Sequence, residues 1–219
     1  MSPRFQQLIT RLNTRLQQPL PGGDAHESFR AHPVGDVKPL FDHTLPPKPG
    51  GVLILLFEEN GAIKFPLTRR AEYPGAHSGQ ISLPGGKSEP GEDAIQTALR
   101  ECEEEIGVDR NSLTVLGKLS DFFVMPSNFI VTPVIAAAPQ LPVFRPDARE
   151  VVKILEQDIT SFLLPEAVRE QEILVAGRYR MMAPHFLVQG EIVWGATAMM
   201  LNEFRIILQE AFESPAGEL

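Results

Sequence analysis

Apolar positions recur along this chain at two periods, and the changes of period mark the elements. Phe5, Leu8, Ile9, Leu12 and Leu16 return every three or four residues, which predicts a short amphipathic helix. Residues 19–23 (Pro-Leu-Pro-Gly-Gly) read as its end. Residues 24–50 have weak periodicity and several prolines. Residues 1–50 are therefore expected to form a helix and an irregular arm packed on one domain spanning 51–219. Residues 52–57 are a near-continuous apolar run, the pattern of a buried strand. Asn60-Gly61 reads as a hairpin turn and 63–68 as the returning strand. Further strands are expected over 113–119 and 130–137, and another begins at 150–154. A short helix or turn is expected from 159 to 162, and a late hairpin carries Leu174, Tyr179, Met181, Phe186, Leu187 and Val188. Residues 196–212 read as a long helix, with Thr197, Met200, Leu201, Phe204, Ile207, Leu208 and Ala211 in one stripe. Strands mixed with helices, hairpins among them, predict an α/β fold with a mixed sheet sandwiched between helices.

The most informative stretch is 83–108. Residues 92–106 read as a helix, closed by Gly107 as a left-handed C-cap. Ile95, Ala98, Leu99, Cys102 and Ile106 fall on one face, expected to pack on the sheet. Glu101, Glu104 and Glu105 fall on another. Like charges at these spacings destabilise a helix by a few tenths of a kcal/mol, roughly, per pair. The macrodipole also disfavours anions near a helix C-terminus. A cation beside the three carboxylates would offset both costs. All-oxygen ligands select hard cations, Mg²⁺ first and Mn²⁺ second, and such sites serve phosphoryl chemistry. A glutamate run alone is better read as a solvated acidic face, with Arg100 neutralising Glu104 one turn away.

Charge and composition narrow the function classes. The 219 residues carry 20 Lys and Arg against 28 Asp and Glu, a net charge of -8. That balance argues against binding nucleic acid through its backbone. An anionic substrate would need local cations to offset the repulsion. Cys102 is the single cysteine, so no intrachain disulfide can form. The first 18 residues lack an apolar signal region, and the apolar runs are too short to span a bilayer. These features suggest a soluble, cytoplasmic protein without a membrane partner.

The wider pattern decides the reading of the glutamates. Gly86, five residues, Glu92, seven residues, Arg100-Glu101, Cys102, any residue, Glu104-Glu105, any residue, Gly107 and Val108 resemble the complete Nudix box. The one mild departure is Cys102, where an aliphatic residue is usual; a small apolar thiol suits a core-facing position. The resemblance implies a Nudix-type α/β/α sandwich and an enzyme acting on a nucleoside diphosphate linked to another group. It implies that Glu101, Glu104 and Glu105 bind divalent metal, or that one of them assists as base, with Glu104 among the catalytic residues. Gly86 would offer its carbonyl near the metal, Arg100 would orient the glutamates, and Glu92 would brace Arg100.

A second motif lies upstream. Leu67-Thr68-Arg69-Arg70-Ala71 and His77-Ser78-Gly79-Gln80-Ile81-Ser82-Leu83-Pro84-Gly85-Gly86 resemble the signature of the coenzyme A pyrophosphatases. Leu83 departs from the usual Phe, and 72–75 fit loosely. Residues 193–198 (Val-Trp-Gly-Ala-Thr-Ala) and 128–133 also resemble that group. The resemblance implies cleavage of coenzyme A or a derivative into phosphopantetheine and adenosine bisphosphate, and a homodimer, common in the family. Arg69 and Arg70 are the cations expected near a phosphate. Adjacent strand residues point to opposite sides, so one of the two, Arg69 by preference, is expected to touch substrate. His77 and Gln80 are expected at the substrate, although a lone loop histidine is more often a plain hydrogen-bonder than a catalyst, and Gln80 is as readily structural as substrate-orienting. Glu150, before two valines, is a further candidate ligand or base, or a surface residue. Trp194 and Phe122-Phe123 read as core packing before adenine stacking. Other diphosphates, such as ADP-ribose, nucleotide sugars or dinucleoside polyphosphates, are the nearest alternative substrates. A nucleotide-sensing module that does not cleave is the alternative of another class.

Overall fold

The computed structural model describes residues 1–35, 41–72, 77–175 and 179–213. The chain opens with α1 (Pro3–Arg15), α2 (Gly22–Glu27) and the short strand β1 (His32–Pro33). Ser2 caps α1 by accepting the Phe5 N–H, with Pro3 in the first turn, where its missing N–H costs nothing. The helix stops at Leu16, before the expected Pro-Gly terminator, and Gly22 instead opens α2. The remaining strands are β2 (Lys48–Glu59), β3 (Ala62–Arg70), β4 (Ile81–Ser82), β5 (Gly85–Lys87), β6 (Thr114–Lys118), β7 (Phe122–Val124), β8 (Phe129–Ala137), β9 (Val151–Asp158), β10 (Val168–Val175), β11 (Tyr179–Val188) and β12 (Glu191–Trp194). Three further helices interleave with them: α3 (Ala94–Ile106), α4 (Ile159–Leu163) and α5 (Gly195–Glu213). Asn60 and Gly61 both take positive φ, 50° and 79°, the backbone of a tight primed turn between β2 and β3.

Among the described residues the main sheet runs β4-β3-β2-β8-β6, with β9 on β3, β5 on β2 and β7 on β8. β2 and β8 are parallel and the other pairings antiparallel, so the sheet is mixed. Both faces are buried, and alternation along the central strands shows how. Leu53, Leu55 and Phe57 of β2, with Val134 and Ala136 of β8, pack against Ala98, Cys102 and Ile106 of α3. Ile54 and Leu56, with Ile135 and Ala137, pack in the opposite core, with Leu8 and Leu12 of α1 and Phe204 and Leu208 of α5. This is an α/β/α sandwich. A second sheet, β1-β11-β10 with β12 on β11, adds Phe186, Val188 and Val193 to the α5 core.

Several expectations change. Residues 24–35, expected as an irregular arm, include most of α2 and all of β1, with Ala25 and Phe29 buried, while α1 buries Phe5, Leu8 and Leu12. β2 begins at Lys48, so a boundary at 50 would cut a strand. α5 is not a one-striped helix, because Ala198, Met199, Asn202 and Glu203 are buried as well. It lies between the sheets and the two N-terminal helices, and Glu203 explains how a carboxylate survives there. Its carboxylate accepts hydrogen bonds from the Gly22 N–H at 3.1 Å and the Ser120 hydroxyl at 2.6 Å, and His26 Nε2 lies at 3.0 Å. Residues 36–40, 73–76, 176–178 and 214–219 lie outside the described residues, among them part of the loosely fitting 72–75 and part of the expected late hairpin. Among the described residues no helix is long and apolar enough to cross a membrane.

Candidate active site

α3 carries the glutamates, and its start is set by sequence. Asp93 caps the helix by accepting the Gln96 N–H at 2.8 Å, and the Gln96 side chain returns a bond to the Asp93 N–H at 2.9 Å. This reciprocal box starts the helix at Ala94, so Glu92 lies just outside it rather than in its first turn. The helix ends where Gly107 turns left-handed, with φ 74°. At the other side of the site, β5 lies against β2, and side chains there would leave no room. A Cβ on Gly51 would run into the Ala94 backbone, and one on Gly86 would lie 2.5 Å from the Glu101 carboxylate. The glycines let α3 and the Gly85–Gly86 step approach until the glutamates touch the backbone.

The three glutamates meet different surroundings. Glu104 is 59% exposed, Glu101 16% and Glu105 2%. The expected single acidic face therefore splits, because Glu105 points inward toward β5 and β3. Its carboxylate accepts the Gly85 N–H at 3.3 Å and lies 3.5 Å from the Arg70 guanidinium. Burial pushes its pKa up to about 7; Arg70 and the Gly85 N–H oppose this, and the charges of Glu101 and Glu150 add to it. Glu101 is also held above the usual carboxylate range, first by burial, with Arg100 opposing. Arg100 is the organiser: it donates to Glu92 at 2.7 and 3.0 Å, to Glu101 at 2.8 Å, to Glu104 at 2.9 Å and to the Lys87 carbonyl at 3.1 Å. Those bonds, with the Glu89 N–H, hold Glu92 at a pKa of about 2. Among the described residues no three acidic, histidine or cysteine side chains are gathered at metal-holding spacing; Glu104 is exposed and bonded to Arg100.

A cavity of about 360 Å³ opens beside these groups. Gly85, Gly86, Lys87, Arg70, His77, Gln80 and Ser127 form its polar lining, and Val124, Phe129, Val131 and Met200 an apolar wall. A second hollow of about 350 Å³ is lined by Glu156, Asp158 and Glu166, a poor place for an anion. Of the two candidate arginines, Arg70 lines the cavity and Arg69 does not. Phe65 and Leu67 of β3 face the α5 core, so Arg69 continues on that side and pairs with Glu191 at 3.2 Å. Arg70 faces the α3 side, and a register shift between Arg69 and Arg70 against β9 marks the strand there. His77 takes φ 66° and bonds Gln80 and Ser127. Glu150 is exposed and outside the cavity lining; its backbone carbonyl holds the Ala71 N–H, and its charge reaches Glu101 and Glu105. Phe122 packs in the core and Trp194 is half-buried outside the cavity. Cys102 is buried with its thiol pKa pushed far up, which leaves it inert. Sequence reading missed Ser127, Lys87 and the apolar wall. Lys87 follows Gly86 directly and was legible by position; Ser127 comes from a turn far along the chain.

Residues 47–174 match the NUDIX domain family. The chain is 35% identical over 163 residues to "Nudix hydrolase 22, chloroplastic" of Arabidopsis thaliana, covering 71% of this chain and 53% of that protein. It is 32% identical over 141 residues to the "Uncharacterized Nudix hydrolase NudL" of Yersinia enterocolitica, covering 62% of this chain and 69% of that protein. It spans about half the length of the plant relative. Among solved structures, the MutT protein from Methanosarcina mazei Go1 superposes with a TM-score of 0.47 at 17% identity, covering 78% of this chain and 96% of that one. With the family match spanning more than half its length, and the glycine step, Arg100 and the glutamates assembled as described, the chain belongs to the Nudix family.

Proposed function

We propose that this protein hydrolyses a diphosphate bond in a nucleoside diphosphate derivative with a divalent cation, Mg²⁺ or Mn²⁺, and that the substrate is coenzyme A or a derivative. The observation that carries the reading is the desolvated pair Glu101 and Glu105, set against the Gly85–Gly86 step beside a cavity that holds Arg70. Two carboxylates raised by burial, with one of them further raised by the other's charge, form a site that a cation would relieve. Their all-oxygen chemistry fits a hard ion. Glu101 and Glu105, with Glu104 and the Gly86 carbonyl, are the groups that would hold it. A cation bound there would supply activation of a water molecule and neutralisation of the phosphoryl group.

The chain's own residues do the rest. Arg100, braced by Glu92, fixes the orientation of Glu101 and Glu104. Arg70 and Lys87 bring positive charge to the phosphate side of the cavity, which an acidic protein needs. The Val124, Phe129, Val131 and Met200 wall accepts an apolar part of the substrate. An amphiphilic cavity of this kind, together with the upstream motif, supports coenzyme A over a sugar nucleotide. Cleavage would give phosphopantetheine and adenosine bisphosphate.

A second reading, nucleotide binding without turnover, draws on Glu104 being tied to Arg100. Product analysis separates the two. Purified protein with Mg²⁺ or Mn²⁺ is given coenzyme A, ADP-ribose and a nucleotide sugar, with and without chelator. Phosphopantetheine and adenosine bisphosphate from coenzyme A alone, abolished by chelation, are the expected result. Cleavage of another diphosphate would move the substrate, chelator-indifferent turnover would refute the cation, and binding without products would favour the second reading.

A further inference from the structure

His77 is a non-glycine residue in left-handed backbone, φ 66°, a conformation that persists where the surroundings over-determine it. Its ring supplies that determination. Nδ1 lies 3.0 Å from Gln80 Oε1, and Nε2 lies 3.2 Å from the Ser127 hydroxyl. A carbonyl oxygen only accepts, so Nδ1 carries the proton, and in the neutral ring Nε2 accepts from Ser127. The two partners sit on different parts of the fold. Gln80 belongs to the loop between β3 and β4, and Ser127 to the turn between β7 and β8. His77, Gln80 and Ser127 all line the cavity that Arg70 lines.

The loop is stitched to Arg70 through the backbone. The Gln80 N–H donates to the His77 carbonyl at 3.2 Å, the Gly79 N–H to the Ala71 carbonyl at 3.3 Å, and the Arg70 N–H to the Gln80 carbonyl at 3.0 Å. The far turn is anchored independently, since the Lys48 N–H donates to the Asn128 carbonyl at 2.9 Å. A ring held between an anchored turn and a loop bonded to Arg70 fixes where that strand end lies.

We infer that His77 is a positioning residue, clasping the two loops through Gln80 and Ser127 and so holding Arg70 toward Glu105. The kinetic consequence rests on the hydrolase reading above; the mechanical one does not. Two substitutions break the clasp from opposite sides. Ser127→Ala deletes the hydroxyl. His77→Asn removes the long reach while keeping a residue that tolerates left-handed backbone, so the turn itself survives. Ser127→Thr restores a hydroxyl.

The first readout is hydrogen exchange of the Arg70, Gly79 and Gln80 amides in the full chain without substrate. Exchange about fivefold faster or more is expected in Ser127→Ala and His77→Asn, the loss of one ordinary hydrogen bond, and a return toward wild type in Ser127→Thr. The second is steady-state kinetics on whichever diphosphate the wild type cleaves. Each single variant is expected to raise KM about fivefold with kcat within about twofold, and the double variant to be no worse than the worse single. Unchanged exchange at those amides, or effects on KM that multiply in the double variant, would overturn the clasp. A wild type that cleaves nothing would sink the hydrolase reading instead, and exchange alone would then decide the clasp.

Discussion

Arg69 and Arg70 are neighbours in sequence, yet one pairs with Glu191 across to the second sheet and the other faces Glu105. Alternation predicts that they part company, but it does not say which one meets the site. Both faces of β3 are covered, so parity alone cannot tell the α3 side from the α5 side. Glu191 lies 122 residues from Arg69, and nothing local signals the pair. The glutamate set was legible as chemistry because three carboxylates in little more than one turn of helix carry a visible cost. Their different fates were not, because the depth of Glu105 depends on glycines that let β5 close on the helix. Arg70→Ala is expected to raise KM by roughly 10- to 100-fold, the loss of a charge-assisted phosphate contact, with kcat changed less. Arg69→Ala is expected to leave KM within about twofold, and steady-state kinetics on both variants checks the ordering.

At the scale of elements, the strongly periodic segments were readable and the short ones were not. α1, β2, the Asn60-Gly61 turn, α3 with its Gly107 cap, and α5 follow from spacing and capping. α2 is a six-residue helix, and β1 is two residues paired with β11 some 150 positions later. Neither carries a local signal of its own; both exist because the fold supplies a partner. What fixes α2 is Glu203 on α5, whose carboxylate gathers Gly22, His26 and Ser120. Burial alone would raise the Glu203 pKa, but those hydrogen bonds more than offset it and hold it below the ordinary value of 4.5. A group lowered on folding contributes its stability above the unfolded pKa and loses it as pH falls through the folded one. Glu203→Gln is therefore expected to cost about 1–3 kcal/mol at pH 7 by denaturant unfolding. The difference from wild type should shrink once pH drops below about 4.5. An equal difference at acid and neutral pH would mean that the charge of Glu203 is not what holds α2.

At the scale of the whole molecule, the charge distribution fits an acidic chain acting on the proposed anionic substrate. Net charge is -8, but the cavity beside Glu101 and Glu105 is lined by Arg70 and Lys87, while the other hollow is acidic. The sandwich was readable from the mixture of patterns. The second sheet, and the ordered α2 and β1 packed on α5 and on that sheet, were not, because both depend on contacts between distant segments. On the function proposed above, Glu101 and Glu105 form a cation site that serves hydrolysis. Removing one charge from that pair should relieve its burial cost, so a Glu105→Gln variant is expected to melt no lower than wild type in the absence of metal. The most direct test is a Mn²⁺ binding titration of wild type and Glu105→Gln, run beside turnover of the cleaved diphosphate. The variant is expected to stay folded, lose most of its Mn²⁺ affinity and lose turnover with it. A folded variant that binds Mn²⁺ and turns over as the wild type does would contradict it.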